Sequence, residues 1–206
     1  MDPKRIAVIP NGVDFTRLPK NLERYDDPTI CFVGRLVNYK RIPDLLEVVA
    51  ELRNDMPNLQ VKIIGSGPQQ AKLEALTEQL GVSDRVHFSG FVEKHVDVLE
   101  TMAKSHILCL PSSVEGFGIV LAEAMALGTP YVSSELPPTL EVTENGVGGI
   151  LYPPGNTHAL EDAIRAILSN DDYARQLGEA GQNLARQRYD WQEIGQKLRS
   201  VYSQLG

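Results

Sequence analysis

The chain has 206 residues, a formal net charge of −7 and a pI near 5.1, which suits one domain of generous size or at most two small ones. The acidic balance argues against non-specific binding to nucleic acid or anionic membranes, and 42% hydrophobic with 23% charged residues is ordinary for a soluble globular protein. No apolar run approaches the roughly 18–20 residues of a membrane span, and the opening MDPKRIAVIP is too short an apolar run for a signal peptide, so a cytoplasmic address is expected.

Residues 1–27 stand apart. IAVIPNGVD suggests one strand and a turn at Asn11-Gly12, and the polar residues after it, ending in Asp26-Asp27-Pro28, suggest a hinge. From there apolar runs alternate with helical patterns. TICFVG (29–34) reads as a buried strand, and Pro43-Asp44 can open a helix reaching about Asn54. QVKIIG (60–65) is a strand, followed by a helix from about Gln69 to Leu80 that Gly81 stops. RVHFS (85–89) is a short strand, 95–104 a helix and HILCLP (106–111) a strand. A helix over 117–127 ends at Gly128, PYVSS (130–134) and GILY (149–152) are short strands, and two or three helices fill 157–205. The last of these carries an apolar stripe of Trp191, Ile194, Leu198, Val201, Tyr202 and Leu205. Short, continuously apolar strands alternating with helices imply a parallel sheet covered on both faces: a doubly wound, Rossmann-like α/β domain. Cys31 and Cys109 fall inside strand-like runs and read as small core residues.

Open α/β sheets bind ligands beyond the carboxyl ends of their strands, so polar groups placed there are the candidates. Gly34, Arg35 and Lys40 follow the first strand. Two cations and a glycine suit a diphosphate, although a solvated basic loop has the same composition. Gly65-Ser66-Gly67 lacks the third glycine of a dinucleotide fingerprint, because position 70 is Gln70; it reads as a tight turn. Gly90-Phe91-Val92 is a glycine-led turn whose backbone can meet a base.

The stretch SSVEGFGIVLAEAMALG (112–128) raises the sharpest question: an apolar helix carries one carboxylate, Glu123, eight residues after Glu115. A buried carboxylate needs hydrogen-bond donors. A ribose diol supplies two; a basic side chain from the core, or protonation, would also answer it. Gly116 and Gly118 free the backbone where the helix begins, and helix N-termini favour anions. His87, His95, His106 and His158 have no metal-ligand spacing and read as structural or solvated, and no metal site is expected.

Together these blocks resemble the group-one retaining glycosyltransferases of the two-lobed B-type fold. IPNGVD (9–14), FVGRLVNYKRIPDLL (32–46), IIGSGP (63–68), FSGFV (88–92), LPSSVEGFGIVLAEAMALGTP (110–130) and ENGVGGILYPPGN (144–156) follow that family in order, and Glu115 and Glu123 match its E-x7-E pair. The resemblance implies that Arg35 and Lys40 bind the donor's diphosphate and stabilise the leaving group, and that Glu123 holds the nucleotide ribose. It further implies Glu115 near the donor sugar, the backbone of Gly116, Phe117 and Gly118 around sugar and phosphate, and Phe91-Val92 at the base. The donor would be a UDP-, GDP- or ADP-hexose, with no metal or other cofactor and no nucleic-acid partner.

Two positions depart from the family. ELPPTLEV (135–142) has Pro137-Pro138 where a Gly-Gly pair is usual, and prolines offer no N–H to a sugar. Arg41 replaces a glycine after Lys40 and adds a cation near the same site. The resemblance also implies a preceding lobe that binds acceptor. The expected organisation is thus a hinge over 1–27, a nucleotide-sugar-binding domain over 28–190, and a final helix over 191–206 crossing back to that lobe. Membrane association would come through the missing lobe. A non-catalytic nucleotide-binding module and a sugar-nucleotide epimerase relative are the competing readings.

Overall fold

The structure, a computed structural model, describes residues 6–203. Six parallel strands form one sheet in the order β3-β2-β1-β4-β5-β6. They are β1 (Thr29–Val33), β2 (Gln60–Ile64), β3 (Val86–Gly90), β4 (Ile107–Leu110), β5 (Tyr131–Ser134) and β6 (Gly149–Tyr152). Among the described residues eight α-helices accompany them: α1 (Ile42–Leu52), α2 (Gln70–Leu80), α3 (His95–Lys104), α4 (Ile119–Leu127), α5 (Pro137–Val142), α6 (Thr157–Leu168), α7 (Asp171–Tyr189) and α8 (Trp191–Ser203). Right-handed crossovers running outward in both directions from β1 and β4 put helices on opposite faces. α1 packs with α2 and α6 on one face, and α4 packs with α3 and α7 on the other. The expected doubly wound, Rossmann-like sheet is what forms.

Burial explains the apolar strands. β4 and β5 are buried at every position, and Ile30, Cys31 and Phe32 of β1 are fully enclosed. Cys31 and Cys109 are free and buried, and burial pushes the Cys31 thiol up to about 12, so both behave as inert core groups. No described helix is long and apolar enough to cross a membrane.

Glycines set the close approaches. Gly65 has φ +134°, and a Cβ on it would collide with the Gly34 carbonyl oxygen. The loops after β1 and β2 are thereby held together, through Leu36 N–H to Ser66 O (3.0 Å) and Gln69 N–H to Leu36 O (3.1 Å). On the other face α7 reaches α4 through Gly178, where a Cβ would strike the Gly128 carbonyl oxygen.

Two expectations change. The segment IAVIPNGVD forms no strand over its described residues: Val13 makes only an isolated parallel bridge with Asp190, donating to Tyr189 O at 2.6 Å. Trp191 N–H returns a bond to Val13 O at 3.2 Å, tying this segment to the start of α8. Conversely, the sequence reading placed no helix at 135–142, yet Pro137 and Pro138 open α5. Their missing N–H groups cost nothing in a first helical turn, and Thr139 Oγ1 accepts the Leu136 N–H at 2.8 Å to close it.

We expect Gly65→Ala to lower stability by about 2–5 kcal/mol, combining left-handed strain with overpacking. Gly195→Ala, in open space within α8, should be neutral or stabilising by up to about 1 kcal/mol. Urea midpoints of the two variants check both.

Candidate functional site

The strand order reverses between β1 and β4, so the loops leaving their carboxyl ends diverge and open a cleft. A cavity of about 330 Å³ lies there. Its walls are the end of β1 with Gly34 and Arg35, the end of β2 with Gly65 and Ser66, and the turn Phe91-Val92. α3 contributes His95 and Val98, and α4 contributes Ile119, Val120 and Glu123. A larger cavity of about 530 Å³, bordered by Arg24, His106 and the start of α7, lies at the opposite ends of the strands and contains none of the candidate residues.

Glu123 reaches the cavity because α4 begins just below it. Gly118 caps that helix in the left-handed conformation (φ 84°) and Gly128 ends it likewise (φ 70°). Between them IVLAEAMAL is buried nearly throughout, Glu123 included at 8% exposure. Its Oε1 lies 3.0 Å from Nε2 of His95. Burial raises the Glu123 carboxyl above its ordinary value; the adjacent imidazole opposes this, without cancelling it. The buried carboxylate is therefore met by His95, which the sequence reads as structural or solvated.

Lys40 and Glu115 form a second cluster. Their Nζ and Oε1 are 2.5 Å apart, and both side chains are largely buried. The two loops are stitched together beside this pair, where Ser113 N–H and Oγ donate to Tyr39 O at 2.7 and 3.2 Å. The Lys40 chain runs alongside Gly34, where a Cβ would sit 3.7 Å from its Cε, so the pair adjoins the cavity wall without lining it. Gly116, Phe117 and Gly118 connect Glu115 to α4, and the Phe117 ring packs edge-on against buried Tyr189, centroids 5.9 Å apart.

The structure thus places Gly34, Arg35, Phe91, Val92 and Glu123 in one cavity, with Lys40 and Glu115 beside it. Gly65 and Ser66, read from sequence as a plain tight turn, hold the loops close and also line the cavity. Arg41 does not add a free cation. Its guanidinium forks onto Asp44 (2.8 and 3.1 Å) and lies against Gly155, away from the cavity lining. The other histidines are elsewhere: His106 Nδ1 accepts the Thr29 N–H, His87 meets Gln60 and His158 meets Asp162. Among the described residues no three His, Cys, Asp or Glu side chains cluster as metal ligands.

Comparison with known proteins places the chain in a family. A family model described as glycosyl transferases group 1 matches residues 14–184. The chain belongs to that family. Over 187 residues it is 30% identical to alpha-D-kanosaminyltransferase of Streptomyces kanamyceticus, covering 89% of this chain and 48% of that protein. Sucrose-phosphate synthase of Thermosynechococcus elongatus superposes with a TM-score of 0.84 at 28% identity, over 96% of this chain and 52% of the other. The Anabaena protein HepE, solved in complex with UDP-glucose, superposes with a TM-score of 0.84 at 25% identity, over 96% of this chain and 57% of the other. The chain spans about half the length of the curated relatives it matches.

The raised Glu123 carboxyl makes a stability prediction for this group 1 member. A group whose folded pKa is raised favours the fold below its unfolded value of 4.5 and loses that contribution as pH rises through the folded value. Glu123→Gln should therefore raise the melting temperature at pH 7 by a few degrees, since about 1 kcal/mol moves a domain of this size by roughly 2–4 °C. The difference from wild type should vanish near pH 4, as calorimetric melts across that range would record.

Proposed function

We propose that this chain is the donor-binding domain of a retaining glycosyltransferase that moves a hexose from a nucleotide-diphosphate sugar to an acceptor. One observation carries the reading: a single cavity joins an apolar slot, a buried carboxylate and an arginine, with a lysine–glutamate pair next to it. Those are the parts a base, a ribose, a diphosphate and a sugar call for, in that order.

In this reading the base lies at Phe91-Val92, where backbone groups meet its edge. Glu123 accepts the two ribose hydroxyls. Arg35 grips the diphosphate with its planar fork, and Lys40, which keeps two N–H donors beyond the one given to Glu115, adds a second cation. The backbone of Gly116, Phe117 and Gly118, with the start of α4, adds positive potential. These charges offset the leaving nucleotide diphosphate as the glycosidic bond breaks through an oxocarbenium-like state. Glu115 sits at the sugar end, and the departing phosphate guides the acceptor to the same face. The reading requires no metal. α5, opened by Pro137 and Pro138, offers two fewer N–H donors to a sugar than a Gly-Gly start would.

UDP is the first nucleotide to try, because HepE was solved with UDP-glucose and sugar transferases recur among the relatives. The acceptor site and the rest of the cleft belong to a preceding lobe that this reading supplies from the family's architecture.

Calorimetric titration of the chain with UDP, GDP and ADP, then with their hexose conjugates, tests the proposal. One nucleotide should bind selectively, and Arg35→Ala or Glu123→Ala should weaken it at least about tenfold, the loss expected when a charged hydrogen bond is removed. Hexose transfer by the chain alone should be undetectable. A well-folded protein that binds none of the six ligands would overturn the reading.

A further inference from the structure

Within the nucleotide reading just given, Lys40 has to present its ammonium to a diphosphate, and the residue after it bears on where that ammonium points. Arg41 follows a short helical turn over Asn38–Lys40, caps the start of α1 and lies in the left-handed region at φ 48° and ψ 37°. A residue with a Cβ keeps that conformation only where its surroundings over-determine it. They do so here. Nε and Nη2 donate to the Asp44 carboxylate at 2.8 and 3.1 Å, and Asp44 is buried at the head of α1. The guanidinium also lies on Gly155 in the loop after β6, where a Cβ would stand 3.0 Å from Nη2. Backbone bonds close the turn on both sides, Arg41 N–H to Asn38 O and Asp44 N–H to Arg41 O, each 3.1 Å. Lys40, one residue earlier, sends its side chain to a different loop, the one after β4, where it meets Glu115.

We infer that Arg41 is a positioning residue for Lys40: its fork onto Asp44 fixes the left-handed turn that keeps the lysine ammonium beside Glu115 and aimed for the diphosphate. Arg41 itself makes no contact with the nucleotide, and it does not line the cavity. A glycine at position 41 would reach the same φ without strain, but without the fork that holds it there. The turn would then sample other conformations, and Lys40 would have to be ordered as the nucleotide arrives. The arginine fork removes that ordering cost beforehand, which is how preorganisation raises affinity.

The test is calorimetric titration with UDP of wild type, Arg41→Gly, Lys40→Ala, the Arg41→Gly/Lys40→Ala double variant and Asp44→Ala, with GDP and ADP run alongside. Glycine tolerates the left-handed turn, so Arg41→Gly should stay folded, as thermal melts check, yet lose roughly two- to tenfold in UDP affinity, the range expected for ordering one long side chain. Lys40→Ala should lose at least about tenfold. The double variant should bind no more weakly than Lys40→Ala, because Arg41 acts only through the lysine. Asp44→Ala separates position from charge. It removes a negative charge and frees the guanidinium, so an arginine acting by charge alone would bind UDP more tightly, whereas a positioning arginine would bind it more weakly.

Unchanged affinity in folded Arg41→Gly would overturn the inference. So would losses that multiply in the double variant, which would make Arg41 act independently of Lys40, and so would tighter binding by Asp44→Ala. Undiminished UDP binding by Lys40→Ala would overturn it too, since the lysine would then have no diphosphate to meet. In each of these cases, UDP binding that Glu123→Ala still weakens leaves the nucleotide site standing, so the two readings fail separately. Absence of binding of all three nucleotides to folded wild type would overturn both.

Discussion

A carboxylate removed from water must be given hydrogen-bond donors, and the carboxyl end of this sheet is arranged around that constraint on Glu123. α4 is apolar on every side and enclosed by α3, α7 and the sheet, so a charge within it has one direction to face. That direction is the cleft where β1 and β4 part. Glu123 is costly to the fold, since burial raises its carboxyl despite the nearby imidazole. Stability is given up at this point, and a ligand with two hydroxyl donors would recover it.

The rest of the site is held in register by backbone. Gly65 lets the loop after β2 lie directly on the loop after β1, and Ser113 ties the loop after β4 to the segment carrying Lys40. Three loops from three strands are thus joined by backbone contacts into one rim. The Lys40–Glu115 pair sits within that rim, nearly dry, where each charge depends on the other: removing one would leave an uncompensated buried ion. The two acids spaced eight apart therefore have different surroundings. Glu115 is matched by a lysine from the rim, and Glu123 by a histidine whose side chain is largely solvent-facing.

Local physics decides the departures from the family pattern as well. Pro137 and Pro138 are good helix starters, and Arg41, in the left-handed region at φ 48°, is steadied by its fork onto Asp44 at the head of α1. Both substitutions are absorbed by the fold around them.

The sequence alone determined the architecture, because burial on both faces of a parallel sheet demands continuously apolar strands, and glycines at helix ends are visible as punctuation. It was legible that Gly34, Arg35, Lys40, Glu115 and Glu123 follow strand ends or open α4, and hence that they share one edge of the sheet. Their pairing was not legible. Lys40 meets Glu115 across 75 residues, and His95 and Glu123 are adjacent through two helices packed side by side. Such contacts depend on helix rotation and loop closure, which no local pattern encodes. For the same reason IAVIPNGVD, apolar enough for a strand, was left without one over its described residues. A strand needs a neighbour with free backbone groups, and the tertiary structure gave Val13 only the short stretch around Asp190.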